Sequence, residues 1–309
     1  MYKDFRVGLV IPAYNEELLI GKTITTLPDF VDRIVVVDDG STDATSEKVR
    51  TLAHPLVTLL RNEENRGIGA SVVRGIKELL GCEINIICLM AGDAQCDPAC
   101  LTPMLDILTQ GEADCAKANR FLRARELRAM PLRRRFGNLL LSLLTKFSTG
   151  YYSLFDSQNG FSATRADVLR RLDLDSISPR YEFENSFWLQ LYYARARIRD
   201  VPAPAIYGEE TSTIRFSEFV RRTSRVLIAG FFQRLLRTYV YSLHPLIVFG
   251  VLGLLLLAFG TGFSIWVTVI AIGQDTPSTG TVMLAVLPLL VGLQLLLAAF
   301  VMDVVNEPR

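Results

Sequence analysis

Carboxylates recur where apolar runs end. Val7–Ile11 leads into Pro12, Ala13, Tyr14, Asn15 and Glu16. Arg33–Val37 leads into Asp38-Asp39-Gly40-Ser41, and Ile84–Met90 into Ala91-Gly92-Asp93-Ala94-Gln95. A carboxylate in such a place can accept hydrogen bonds from a ribose or a base edge. Asp-Gly-Ser is also a common turn, and one acid is enough to cap a helix. Two acids in a row, with Glu16 expected close by, favour a nucleotide site. Asp93 and Gln95 stand two apart, so on an extended segment their side chains share a face. Oxygen ligands of this kind suit Mg²⁺ or Mn²⁺ shared with substrate phosphates. Spacing alone serves a solvated loop equally well. The chain has no GxxxxGK[ST] segment and no GxGxxG after its first apolar run, which argues against ATPase and dehydrogenase chemistry.

The elements that must hold these groups follow from periodicity. Val7–Ile11, Arg33–Val37, Leu56–Leu60 and Ile84–Met90 read as buried strands. Glu17–Leu27, a segment capped by Ser41 or Thr42 and running to Leu52, and Gly67–Leu80 read as helices. Strand–helix alternation with short loops predicts an α/β fold with a mostly parallel, doubly wound sheet. Ligands of such sheets lie beyond the carboxyl ends of the strands, where the acids are.

The net charge of +1 hides a division along the 309 residues. Residues 1–116 are strongly acidic, residues 117–146 strongly basic, and residues 215–237 hold six Arg against one Glu. The near-zero total argues against nucleic acid as a partner. Arg133-Arg134-Arg135 stands beside Phe136, Leu139–Leu141, Leu143 and Leu144. That stretch reads as a solvated face or as a phosphate-binding, amphipathic segment at a membrane surface. Residues 217–237 repeat the pattern and read as an in-plane helix.

Mean hydropathy is +0.29, high for a soluble enzyme. Pro245–Ile272 and Thr281–Met302 carry no charge, and each reaches the roughly 20 residues a membrane helix needs. The short linker Gly273–Gly280 makes them a hairpin. Arg221, Arg222, Arg225, Arg234 and Arg237 precede the first span and the linker has no basic residue, which predicts an integral membrane protein with a cytoplasmic catalytic domain. The expected division is 1–214 catalytic, 215–240 juxtamembrane and 241–309 hairpin. Two-span hairpins often associate, so a homo-oligomer is among the expectations. Five scattered Cys without a CxxC pair are expected to be reduced.

Three segments together resemble the family 2 glycosyltransferases of GT-A fold: Ile11-Pro12-Ala13-Tyr14-Asn15-Glu16-Glu17, Val35–Asp43 and Ala91–Pro98. Asn65–Ala70, Asn119-Arg120-Phe121, Asp156–Phe161 and the two spans narrow the resemblance to polyprenyl-phosphate glycosyltransferases of the dolichyl-phosphate mannose synthase type. The resemblance implies inverting transfer of a hexose from a nucleotide sugar, of the GDP-mannose or UDP-glucose type, to a polyprenyl phosphate. Carried onto this chain, Pro12, Ala13, Tyr14 and Glu16 would line the nucleotide pocket, and Asp39 with Asp38 would hold base or ribose. Asp93 would bind Mg²⁺ or Mn²⁺ on the diphosphate, with Gln95 beside it. Arg120 and Arg133–Arg135 would hold the acceptor phosphate, and Asp156 and Gln158 would lie near the sugar. Ala91 stands where the family's metal motif usually has a first acid, and Thr213 stands where a Lys is frequent. A processive polysaccharide synthase is a rival, but neither Trp188 nor Trp266 completes a Gln-x-x-Arg-Trp motif. A non-catalytic membrane scaffold is the other rival, and Ala91 is its best support.

Overall fold

The computed structural model describes residues 1–122, 132–204, 206, 216–273 and 276–309; for 132–136, 138 and 216–220 it describes the backbone only. The chain divides into two compact units, Met1–Gly230 with Pro308–Arg309, and Phe231–Glu307.

The first unit is built on a seven-stranded sheet. In chain order its strands are β1 (Val7–Ala13), β2 (Val31–Asp38), β3 (Val57–Arg61), β4 (Ile86–Leu89), β5 (Cys115–Asn119), β6 (Ser162–Arg165) and β7 (Ile198–Pro202). Their order across the sheet is β3-β2-β1-β4-β6-β5-β7. Only β6 runs against its neighbours, antiparallel to β4 and β5. The central β1 is buried along its whole length. A strand flanked by strands and covered on both faces needs apolar residues at every position, which explains its unbroken run. Leu9 and Ile11 face one core with Met104, Leu105 and Leu108. Val10 faces the other with Val72, Ile76 and Leu79 of the helix Ile68–Leu80. That helix crosses β1 closely: a Cβ on Gly75 would lie 2.4 Å from Val10 Cγ1.

Register then sets the acids side by side. Ala13 pairs with Asp38, and Asp38 with Arg61. The ladder between β1 and β4 continues past β4, with Met90 N–H donating to Val10 O at 3.1 Å and Gly92 N–H to Pro12 O at 3.2 Å. Asp93 is thereby fixed one residue beyond the sheet edge.

Two helices differ from the periodicity. The first spans Ile20–Thr25 rather than Glu17–Leu27, and the second Thr45–Thr51 with Ala44 at its N-cap. The missing turns are used elsewhere. Asn15, Glu16 and Glu17 donate their backbone N–H groups to Ser41 Oγ, Thr45 Oγ1 and Asp43 Oδ2 at 3.0, 2.8 and 3.1 Å. Thr42 N–H donates in return to Asn15 Oδ1 at 2.9 Å. These cross-loop bonds satisfy groups that a longer helix would otherwise engage.

The second unit contains the helices Pro245–Ile272 and Thr279–Val305, with mean hydropathy 2.4 and 2.5. They pack closely where small residues face each other: a Cβ on Gly253 would come within 2.9 Å of Gly292 O. Each has the length and composition to cross a membrane, yet only 17% of each is buried. A core helix of a soluble protein would be mostly covered. Two helices this apolar and this exposed suggest membrane association. At one end of the pair, Arg234 binds Asp303 through two contacts of 2.6 and 2.8 Å, and Tyr239 OH donates to the same carboxylate at 2.6 Å.

Candidate functional site

The strand ends divide the expected residues into two groups. The first lies around Asp38 and Asp39. Asp38 has no exposed surface and accepts from Ser41 N–H at 2.8 Å and from the Ser46 hydroxyl. Asp39, 3% exposed, accepts from Asn62 Nδ2 at 2.6 Å, Arg66 N–H at 3.0 Å and Gly67 N–H at 2.8 Å. Both carboxylates thus organise their own loops. Tyr14 is exposed beside them, Glu16 is half-buried, and Ala13 is buried at the end of β1.

The second group opens on a cleft of about 190 Å³. Pro12, Asp93, Gln95, Arg120 and Gln158 line it, with Ala91, Cys96, Asp97, Gly160, Phe183 and Glu184. Asp93 Oδ1 accepts from Gln95 N–H at 3.0 Å, the turn that brings both side chains to one place. Ala94 between them takes a left-handed φ of 55°. Burial pushes the Asp93 carboxyl above the usual carboxylate range, and the backbone N–H of Gln95 only partly offsets this. Burial also lifts the Cys96 thiol to about 12, so it is no nucleophile at neutral pH.

Asp156 stands behind Arg120 rather than in the cleft. It is 1% exposed and accepts Arg120 Nε and Nη2 at 2.7 Å each, and Arg120 N–H at 3.1 Å. Burial alone would raise its carboxyl. The Arg120 guanidinium outweighs that and holds it below the usual range. Asp156 has φ 51°, a left-handed backbone that Asp and Asn adopt more readily than other residues with a side chain, and several contacts hold it there. Lys117, fully buried, donates to Phe155 O at 2.6 Å and Asp156 O at 3.0 Å, and lies 3.5 Å from Asp200 Oδ1. Trp188 Nε1–H donates to Ser157 O at 2.9 Å. Gln158 Nε2 donates to Asn185 Oδ1 at 3.2 Å. The backbone at Arg133, Arg134 and Arg135 is the start of the helix Leu132–Thr149. Their side chains lie outside the described residues, as do Thr213 and Arg215.

Three residues of this site escaped the reading of the strand ends: Lys117, Asp200 and Glu184. Glu184 lies in the first turn of the helix Phe183–Tyr193, otherwise almost wholly buried. Its Oε2 is buried without a partner among the described residues. Burial lifts its carboxyl to about 8, so it is largely protonated at neutral pH. An acid within the aromatic run Tyr181–Tyr193 was the available signal. Gly67 and Gly69 serve packing: Cβ atoms there would fall 2.4 Å from Pro179 O and 2.1 Å from Ser178 O.

The sequence profile of glycosyl transferase family 2 matches residues 9–173, more than half the chain. The chain belongs to glycosyl transferase family 2. It is a glycosyltransferase. An uncharacterized protein of Methanocaldococcus jannaschii is 34% identical over 66% of this chain and 82% of its own length. A UDP-N-acetylglucosamine–dolichyl-phosphate N-acetylglucosaminyltransferase of Methanococcus voltae is 28% identical over 67% of this chain and 88% of its own. An undecaprenyl-phosphate mannosyltransferase of Micrococcus luteus is 29% identical over 66% and 85%. In fold, the family 2 unit is similar to glucosyl-3-phosphoglycerate synthase of Mycobacterium tuberculosis, with a TM-score of 0.58 at 18% identity over 74% of this chain and 80% of that one. That synthase was crystallised with Mn²⁺ and uridine diphosphate.

Proposed function

We propose that this glycosyltransferase moves a hexose from a nucleotide sugar to a polyprenyl phosphate, with inversion at the sugar's C1. One observation carries the reading: Asp93 with Gln95, and Arg120 gripped by Asp156, open on the same cleft. The first pair suits a donor diphosphate with its cation, and the second an acceptor phosphate. The names of the Methanococcus and Micrococcus relatives support that acceptor class.

The donor set fits a hard cation. Asp93, Gln95 and Asp97 offer oxygen only, and no cluster of three His, Cys, Asp or Glu occurs among the described residues. Mg²⁺ and Mn²⁺ tolerate so few protein ligands, since Mg²⁺ keeps several waters and shares phosphate oxygens. Asp93 and Gln95 would hold it despite Ala91. When bound, it would neutralise charge on the departing diphosphate.

In this chemistry an acceptor phosphate oxygen attacks C1 on the face opposite the leaving group. The new C1–O bond forms as the C1–O bond to the nucleoside diphosphate breaks. A phosphate is already anionic, so no side chain has to remove a proton. Arg120 positions the nucleophile and balances its charge, and Asp156 fixes the guanidinium plane. Protonated Glu184 can donate to a sugar hydroxyl without adding negative charge between two phosphates.

The Arg residues ahead of Pro245 support a cytoplasmic position for the catalytic part, taken as residues 1–214. Residues 215–240 then form the juxtamembrane segment and 241–309 the hairpin. The test is a donor panel of GDP-mannose, UDP-glucose and UDP-N-acetylglucosamine with full-length protein, Mg²⁺ and undecaprenyl phosphate. The expected result is nucleoside diphosphate release that requires the lipid phosphate and prefers one donor. Release that no lipid phosphate accelerates, with any donor, refutes the reading.

A further inference from the structure

Glu182, Arg221, Arg222, Arg225 and Val226 line a second cavity, of about 330 Å³, apart from the Asp93–Arg120 cleft. Among the described residues, three Arg and one Glu line it. Glu182 is buried, at 7% exposure, while Arg221 and Arg225 are exposed. Arg221 and Arg225 stand one turn apart on the helix Phe216–Leu235. Like charges at that spacing repel and weaken a helix. A concave site that keeps such a pair is suited to a ligand that neutralises it. Arg's planar fork matches phosphate oxygens in bidentate geometry.

The same stripe of the helix says where that phosphate is carried. Continuing by three and four residues from Arg225 come Ile228 and Phe232, each 59% exposed. Arginines followed on one face by uncovered apolar side chains form the pattern of a helix at a lipid surface. We propose that this cavity is a phosphate site that takes the headgroup of an anionic lipid, separate from the sugar-transfer cleft. Glu182 limits affinity, because its charge opposes that of the ligand.

The test uses full-length protein in a zwitterionic detergent and reads thermal unfolding against added dioleoylphosphatidylglycerol, dioleoylphosphatidylcholine or inorganic phosphate. Phosphatidylglycerol is expected to stabilise the wild type, and phosphatidylcholine and inorganic phosphate to do little at the same concentration. Arg221→Gln with Arg225→Gln should raise the phosphatidylglycerol concentration required by roughly tenfold or more, because each charge-assisted hydrogen bond lost is worth about that factor. Glu182→Gln should lower it. The charge-matched pair Arg170→Gln with Arg171→Gln, exposed elsewhere on the unit, should leave it unchanged. Arg221→Lys, which keeps the charge and loses the fork, should fall between. An unchanged dose response in the Arg221/Arg225 pair, or an equal loss in the Arg170/Arg171 pair, overturns the site. Equal stabilisation by inorganic phosphate or by phosphatidylcholine overturns the anionic-lipid assignment.

Discussion

Replacing Asp156 by Asn separates positioning of the acceptor from binding of the donor. The choice of Asn matters. Asp156 adopts φ 51°, a region that Asn adopts more readily than Ala, so Asp156→Asn removes a charge without adding backbone strain. The amide keeps one oxygen, enough to accept the Arg120 N–H that Asp156 now holds at 3.1 Å. It cannot receive both Arg120 Nε and Nη2, which Asp156 binds at 2.7 Å. Breaking one partner of a buried ion pair costs about 3–5 kcal/mol. Arg120 keeps 22% of its side chain exposed and can recover some hydration, so the lower end applies, about 3 kcal/mol.

Activity should fall through Arg120. If one charge-assisted contact between Arg120 and the acceptor phosphate is lost or misaligned, about 1.5–3 kcal/mol of transition-state stabilisation goes with it, roughly ten- to hundredfold in kcat/KM for the lipid. Nucleoside diphosphate affinity should be unchanged, because Asp156 does not line the donor side. The assay titrates polyprenyl phosphate at saturating donor and measures nucleoside diphosphate binding separately. An unchanged kcat/KM for the lipid, or a matching fall in donor affinity, refutes the argument. The pH dependence is a second check. The folded-state pKa of Asp156 is depressed, so the pair stabilises the fold above the unfolded carboxyl's pKa and the effect fades as pH falls through the folded value. The gap between wild type and Asp156→Asn should therefore be level above about pH 5 and close on acidification.

Other changes read other parts of the cleft. Asp93→Asn keeps the bond from Gln95 N–H but loses the charge, and should lower turnover by roughly a hundredfold or more while abolishing Mg²⁺-dependent thermal stabilisation by nucleoside diphosphate; wild-type turnover would reject Asp93 as ligand. Glu184→Gln should stabilise the protein at pH 8 and be neutral near pH 4. The folded-state pKa is raised to about 8, so stability is lost as pH climbs from the unfolded value towards 8, by no more than about 5 kcal/mol. Thermal unfolding at both pH values checks this, and an equal shift at each counts against a buried, neutral Glu184. Gly75→Ala places a Cβ 2.4 Å from Val10 Cγ1 and should cost about 1–3 kcal/mol despite the better helix propensity of Ala; a raised urea midpoint would contradict so close a contact.

The strands were legible because burial on both faces leaves a direct trace: Val7–Ala13 must be apolar throughout, and its end must turn polar. The membrane-length helices were legible for the same reason, since an uncharged stretch of that length has few other environments. What remained hidden depends on contacts between distant segments. Glu17 and Thr42 lie in locally helical or capping patterns, yet bonds between residues 15–17 and 41–45 draw both out of their helices. Lys117, Asp200 and Trp188 look unrelated in sequence, and only pairing of β5 with β7 and packing of the helix Phe183–Tyr193 bring them to the Asp156 loop. Glu184 becomes notable only once its surroundings exclude water.

The acids show the limit most sharply, since Asp38, Asp39 and Asp93 carry the same local signal of a carboxylate after an apolar run. Their difference lies in how many donors the chain itself supplies. Asp39 accepts three hydrogen bonds and Asp38 two, with almost no surface left on either. Asp93 accepts the N–H of Gln95, makes no ion pair among the described residues, and sits on a cleft with its carboxyl raised by burial. A half-buried carboxylate so weakly compensated is costly to keep unless a positive charge arrives from outside the chain. That deficit, more than the resemblance of its motif, is the physical support for the proposal that a cation binds at Asp93.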